Sequence, residues 1–295
     1  MTFRGILVGL AAALLLPASA LAQSGAPAFL ADELPPMPGA QIALPTVGDN
    51  VADTEQWNRV FGQVWVRNVS RPSLYPVLPM NGRGNGRAVI VVPGGGYAFV
   101  SIESEGFRVA ERLAAQGYTA FVLKYRPRET ARDANGFIAG LAADFGNLGR
   151  GELPDHPPAV DDLAAAVALV HGRAAEWRID PEAIGVIGFS AGSRTTIRLL
   201  EQRPEAALLD HVALIYPPMT QTVGAGPRPD LFLAIAADDP LFRQGGLNLV
   251  EHWLEQSRAV EFHLYSGGSH GFGMRPQGTT SDLWIEQYLA WLALQ

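Results

Sequence analysis

Apolar residues fall along this chain in short runs, separated by longer stretches with helical spacing. Positions 88–92 read Ala-Val-Ile-Val-Val and end at Pro93. A run without polar alternation marks a strand covered on both faces. Similar runs stand at 118–125, 184–189, 212–216 and 231–236, while 64–69 and 260–265 alternate as half-covered strands. Between them, 106–116 places Phe107, Ala110, Leu113 and Ala114 on one face and meets Gly117 at its end, the pattern of a helix and its C-cap. The Ala-rich stretch 159–177, the segment 247–256 and the amphipathic 281–294 complete the helices. Apolar strands alternating with helices predict an α/β fold: a mostly parallel central sheet with helices on both faces.

Three stretches break this rhythm. The first 22 residues combine Arg4, an apolar run over 5–16, Pro17 and the small-x-small triplet Ala20-Leu21-Ala22. That layout predicts a secretory signal peptide cleaved before Gln23; the apolar run falls short of the roughly 20 residues a spanning helix needs. Residues 23–54 are rich in Pro, Ala and Gly, with Pro35-Pro36-Met37-Pro38-Gly39 at their centre. They read as a leader lying on or off a domain that occupies 55–295. Residues 126–158 scatter Gly136, Gly140, Gly146, Gly149 and Gly151 among charges and aromatics. A connection that long without structure of its own predicts a lid or substrate-binding insertion.

Composition narrows the class. With 295 residues, 48% of them hydrophobic and 17% charged, the chain suits one sizeable domain and is too apolar for disorder. A net charge of −7 argues against nucleic acid or an anionic membrane as partner, because either selects a basic face. There is no Cys, which removes disulfides and a lipid anchor on Cys. The expectation is an exported protein, periplasmic or secreted, with no stable membrane anchor. Asn68-Val69-Ser70 fits a glycosylation sequon, but its place inside a strand pattern points to a structural asparagine.

The strongest chemical signal is Gly188-Phe189-Ser190-Ala191-Gly192, a G-x-S-x-G between a predicted strand and a predicted helix. So tight a turn strains the serine backbone and admits only small flanking residues. In return it lifts the hydroxyl out of the sheet and aims the Ala191 N–H at a developing oxyanion. Pro93-Gly94-Gly95-Gly96-Tyr97 ends the 88–92 strand; glycines there let backbone N–H groups face a substrate oxygen, with Gly95 and Gly96 as the expected donors. A base must follow Ser190. Among His211, His252, His263 and His270, only His270 lies in a glycine-rich loop, Gly267-Gly268-Ser269-His270-Gly271-Phe272-Gly273, where an imidazole can reach the nucleophile. An acid should follow strand 231–236, which ends at Asp238-Asp239-Pro240. Side chains of neighbours diverge, so one of the two carboxylates is expected to orient the base. Asp155, His156, Asp161 and Asp162 lack the spacing of a metal motif and read as an acidic helix start.

Taken together, residues 89–97, 177–192, the Ala237-Asp238-Asp239-Pro240 loop and 267–273 resemble bacterial esterases of the acetyl xylan esterase and BD-FAE-like group of α/β-hydrolases. The resemblance covers roughly 60–294. It implies the α/β-hydrolase fold, a serine esterase releasing acetyl or other short acyl groups from plant polysaccharides, and no metal or organic cofactor. It also assigns the acid to Asp239, giving the set Ser190, Asp239 and His270. Two departures concern the walls of the site. Ser193-Arg194 stand where the group has Gly-His, and Leu241-Phe242-Arg243 stand where it has Val-Pro. The same residues would also serve a lipase or peptidase. A non-catalytic carbohydrate-binding protein on this fold is the alternative outside enzymes.

Overall fold

The computed structural model describes residues 30–148, 153–221, 223–224, 226–242, 245–256 and 259–295. The expected signal peptide, 1–22, and the first residues of the leader lie outside them. Eleven strands are formed among the described residues: β1 (Leu30–Glu33), β2 (Ile42–Ala43), β3 (Gln56–Val60), β4 (Gln63–Arg67), β5 (Ser73–Val77), β6 (Ala88–Val92), β7 (Thr119–Lys124), β8 (Ile184–Phe189), β9 (His211–Ile215), β10 (Asp230–Ala236) and β11 (Val260–Tyr265). The α-helices are α1 (Arg108–Ala114), α2 (Ala134–Leu148), α3 (Pro157–Gly172), α4 (Ala191–Gln202), α5 (Asn248–Gln256) and α6 (Trp284–Leu292).

The main sheet runs β11-β10-β9-β8-β6-β7-β5-β2. The six strands from β11 to β7 are parallel, and β5 and β2 add an antiparallel edge. This is the mostly parallel sheet that the apolar runs predict, in the fold class that the resemblance implies. Every residue of β6, β7, β8 and β9 is buried. Each large apolar side chain so covered contributes about 1.5–3 kcal/mol. The chain leaves β6 towards β7 on one side and returns through α2 and α3 to β8 on the other. The strand order therefore reverses between β6 and β8, and in such sheets ligands bind in the crevice outside the carboxyl ends at that point.

Several predicted elements take a different form. The long helix 159–177 stops at Gly172, and a separate 3-10 turn, Ala174–Trp177, follows it. The helix predicted over 106–116 is preceded by a π-type turn, Glu103–Phe107, before α1 begins. The stretch 126–158, read as having no structure of its own, contains α2. Its glycines hide a helical face made by Phe137, Ile138 and Leu141, which packs against Phe99 and Trp65. The buried Arg67 guanidinium pins the start of this segment through the carbonyls of Ala131 and Arg132 and lies 4.6 Å from the Phe137 ring. Asn68 is buried; its amide donates to Gln56 and accepts from the Thr130 N–H, as a structural asparagine would.

The Pro- and Ala-rich stretch lies on the domain from Leu30 onward. β1 joins β3 and β4 in a small antiparallel sheet, and β2 pairs with β5. Among the described residues no helix is long and apolar enough to cross a membrane.

Candidate active site

β8 delivers Ser190 to the crevice. The residue takes φ 50° and ψ −111°, left-handed backbone that a non-glycine adopts only under strain. The surrounding backbone enforces the turn. A Cβ on Gly192 would meet the Val92 carbonyl oxygen at 2.0 Å, and one on Gly188 would meet the Gly192 oxygen at 2.6 Å. The Ser190 N–H donates to the Ile215 carbonyl at 3.0 Å. Ser193, the first departure from the esterase pattern, fastens the same turn from inside: its hydroxyl donates to the Gly188 carbonyl at 2.7 Å. We expect Gly192→Ala to destabilise the fold by about 3 kcal/mol or more. Thermal unfolding followed by circular dichroism checks this, and an unchanged midpoint would contradict the steric account.

The base loop between β11 and α6 brings His270 to the nucleophile. His270 Nε2 lies 2.9 Å from Ser190 Oγ, and His270 Nδ1 lies 2.8 Å from Asp239 Oδ2. The carboxylate accepts a hydrogen bond from the Nδ1–H, which leaves Nε2 to accept from the serine hydroxyl. Asp239 is fully buried, and its other oxygen accepts the N–H groups of Leu241 and Phe242 at 2.8 and 3.1 Å. Burial opposes its charge. The His270 ring and these hydrogen bonds outweigh burial and hold the carboxyl below the usual carboxylate range. Asp238 is exposed and turns elsewhere, accepting the Ser269 N–H at 2.7 Å as a brace for the base loop. Of the two adjacent carboxylates, the structure brings Asp239 to the imidazole. Phe242 sets its ring edge-on to His270, with centroids 5.1 Å apart.

The glycine loop closes the crevice from β6. Gly94 does not offer its N–H outward, because that group donates to Glu105 Oε2 at 2.7 Å. Gly95 takes φ +133°, and a Cβ there would strike the Phe99 carbonyl oxygen at 2.1 Å. Among the described residues no acceptor takes the N–H of Gly95, Gly96 or Ala191. The loop is locked by Tyr97, whose hydroxyl donates to the Ala191 carbonyl at 3.1 Å, linking the two donor segments.

Most of the remaining candidates have other partners. His211 is buried at the start of β9 beside Asp210, and His263 bonds Glu261. Asp162 is buried against Arg126 and Thr46, Asp161 pairs with Arg203, and Asp155 bridges Arg194 and Arg198. Arg194, the second half of the first departure, is thus held on the flank of α4. Sequence reasoning missed Glu105 and Tyr216, which lie directly beneath the site. Their runs look like ordinary helix start and strand end, and nothing in the spacing separates them from core.

Residues 77–288, most of the chain, match the model of the Dienelactone hydrolase family. The chain belongs to the dienelactone hydrolase family. This family membership agrees with the parallel sheet and with the α/β-hydrolase expectation drawn from the motifs. The chain is also similar to an acetylxylan esterase of Xylanibacter ruminicola, 30% identical over 132 residues. That match takes in 42% of this chain and 22% of the relative, so the chain spans about a fifth of that protein's length. Among solved structures, an acetyl ester-xyloside bifunctional hydrolase from Caldicellulosiruptor lactoaceticus superposes with a TM-score of 0.56 at 21% identity, over 76% of this chain and 88% of that one. The carboxylesterase Cest-2923 from Lactobacillus plantarum gives 0.58 at 18% identity, over 88% and 98%. These two likenesses establish the shared fold.

Proposed function

We propose that this member of the family is an exported serine esterase. It removes short acyl groups, acetyl first among them, from plant-type carbohydrates such as xylan, through an acyl-enzyme on Ser190. The carrying observation is the unbroken line from Ser190 Oγ through His270 to the buried Asp239, at the strand ends where the sheet order reverses. In this reading His270 Nε2 takes the Ser190 proton as Oγ attacks the ester carbonyl. Asp239 stabilises the imidazolium so formed. Charge developing on the carbonyl oxygen is met by the N–H groups of Gly95, Gly96 and Ala191, each worth about 3 kcal/mol in the barrier. The imidazolium then protonates the departing sugar alkoxide. Water, deprotonated by His270, attacks the acyl-serine; the acyl–Oγ bond breaks, the imidazolium returns its proton to Ser190 Oγ, and the carboxylic acid leaves. The acetyl and xylan parts of the proposal draw on the acetylxylan esterase relative, and export draws on the first 22 residues. Helix α2 packs on Phe99, whose carbonyl closes on Gly95 of the glycine loop.

The test is acetate release by the mature chain from acetylated xylan, an acetylated pectin and a p-nitrophenyl ester ladder, beside a fluorophosphonate label. Release from xylan together with labelling supports the full reading. Turnover of the small esters alone removes the polysaccharide and keeps the serine esterase. No turnover and no label would favour a carbohydrate-binding protein.

A further inference from the structure

One carboxyl group beneath the nucleophile has no part in the cycle above. Glu105 is only 6% exposed and stands in the π-type turn that follows the glycine loop. Its Oε2 accepts the Gly94 N–H and its Oε1 accepts the Tyr216 O–H, both at 2.7 Å. Gly94 is wedged between this carboxyl and the nucleophile: a Cβ there would lie 2.9 Å from Glu105 Oε2 and 2.9 Å from Ser190 Cβ. The base loop wraps the other side. A Cβ on Gly273 would lie 3.1 Å from Glu105 Cγ, and the Met274 N–H donates to the Ser104 carbonyl at 3.1 Å. Tyr216, in left-handed backbone at φ 39°, carries its ring from this carboxyl to the imidazole, with centroids 4.8 Å apart.

Two donors point at the two carboxyl oxygens, one to each, the arrangement of an ionised group. The charged and titratable groups facing it are His270 and Arg275 from the base loop, Tyr216 after β9 and Tyr125 after β7. Burial, the largest influence, raises the Glu105 pKa above the ordinary carboxylate value, and the two donors, His270 and Arg275 draw it back towards the carboxylate. Tyr216 is itself held protonated, since burial raises its pKa well above the ordinary phenol range, so it remains a donor.

We propose that Glu105 is a positioning residue for ester hydrolysis. It ties the glycine loop that carries the oxyanion donors to the loop that carries His270, and as a carboxylate held by two donors it favours the imidazolium formed when Ser190 gives up its proton. The kinetic part rests on the serine-esterase reading; the influence on His270 does not, and the experiment separates them.

Glu105→Gln keeps the length and an acceptor for the Gly94 N–H while removing the charge. The first readout needs no substrate: the titration of the His270 imidazole by NMR in histidine-labelled protein. The midpoint is expected to fall by about one pH unit in Glu105→Gln, because a nearby negative charge favours a cation. The second readout is the kcat/KM profile on a p-nitrophenyl acyl ester. Its acid limb should move to lower pH with the midpoint, and kcat should drop roughly 10- to 100-fold with KM little changed. Tyr216→Phe, which loses only one hydroxyl, covers the case in which Glu105→Gln fails to fold. It should lower the midpoint and kcat in the same direction by a smaller amount. An unmoved midpoint and unchanged kcat in either folded variant would overturn the proposal and leave Glu105 as packing. A midpoint that moves in a protein hydrolysing no ester would instead sink the esterase reading and keep the link to His270.

Discussion

Ser190→Ala lowers kcat/KM on short acyl esters roughly 10^4- to 10^6-fold, the scale on which a nucleophile's loss leaves only binding and oxyanion stabilisation. The same variant keeps its thermal midpoint. The Ser190 side chain makes one hydrogen bond, to His270, while the turn is held by the Ser190 N–H, by Ser193 and by contacts that exclude a Cβ at Gly188 and Gly192. Loss of rate without loss of stability therefore separates chemistry from architecture. Fluorophosphonate labelling should vanish in parallel. Retained turnover in Ser190→Ala would remove the acyl-enzyme from the mechanism altogether.

The second large effect discriminates between adjacent carboxylates. Asp239→Asn should cut kcat by about 10^3- to 10^4-fold, because an amide at that position offers His270 Nδ1 a donor as readily as an acceptor and no longer stabilises the imidazolium. Asp238→Asn should cost less than about tenfold, since an amide oxygen can still accept the Ser269 N–H. Equal losses in both variants would contradict the assignment. The pH dependence adds a sign. Asp239 is held below the usual carboxylate range, so it stays charged as pH falls through the ordinary Asp and Glu region. The acid limb of the wild-type profile is then set by groups other than Asp239, and Asp238→Asn should leave that limb in place.

The chemistry was legible in the sequence wherever one local turn sets it. The elbow around Ser190 needs glycines at 188 and 192 for steric reasons that act within a few residues, so the five-residue pattern carries its own geometry. The six parallel strands were equally readable from their apolar or alternating runs, whereas the antiparallel edge strands β5 and β2 were not predicted. The choice between Asp238 and Asp239 could not come from spacing. It depends on how the turn after β10 meets a loop 31 residues later. Glu105 was invisible for the same reason, being assembled from the ends of β6 and β9 and the base loop. Helix α2 was missed because three glycines dilute its pattern, and its partners Phe99 and Trp65 come from other parts of the chain.

The pairing of β2 with β5 bears on how long the folded protein can last. The turn at 48–54 is largely exposed and sits between two segments that the body of the fold depends on. On its near side, β2 covers the outer rim of the sheet, and Gln41 faces the Lys124 ammonium at 3.2 Å. On its far side, Glu55 neutralises that ammonium at 2.6 Å where both side chains are nearly sealed from water. Proteases favour such turns. A cut there, followed by escape of the N-terminal piece, would strip the backbone partners from the outer edge of β5 and offer that bare rim to a strand of another molecule. Trimming one or two residues further would abandon a cation in the interior, at a cost of about 3–5 kcal/mol. Vulnerability to clumping would then begin far from the catalytic crevice, in the stretch that composition alone marks as dispensable.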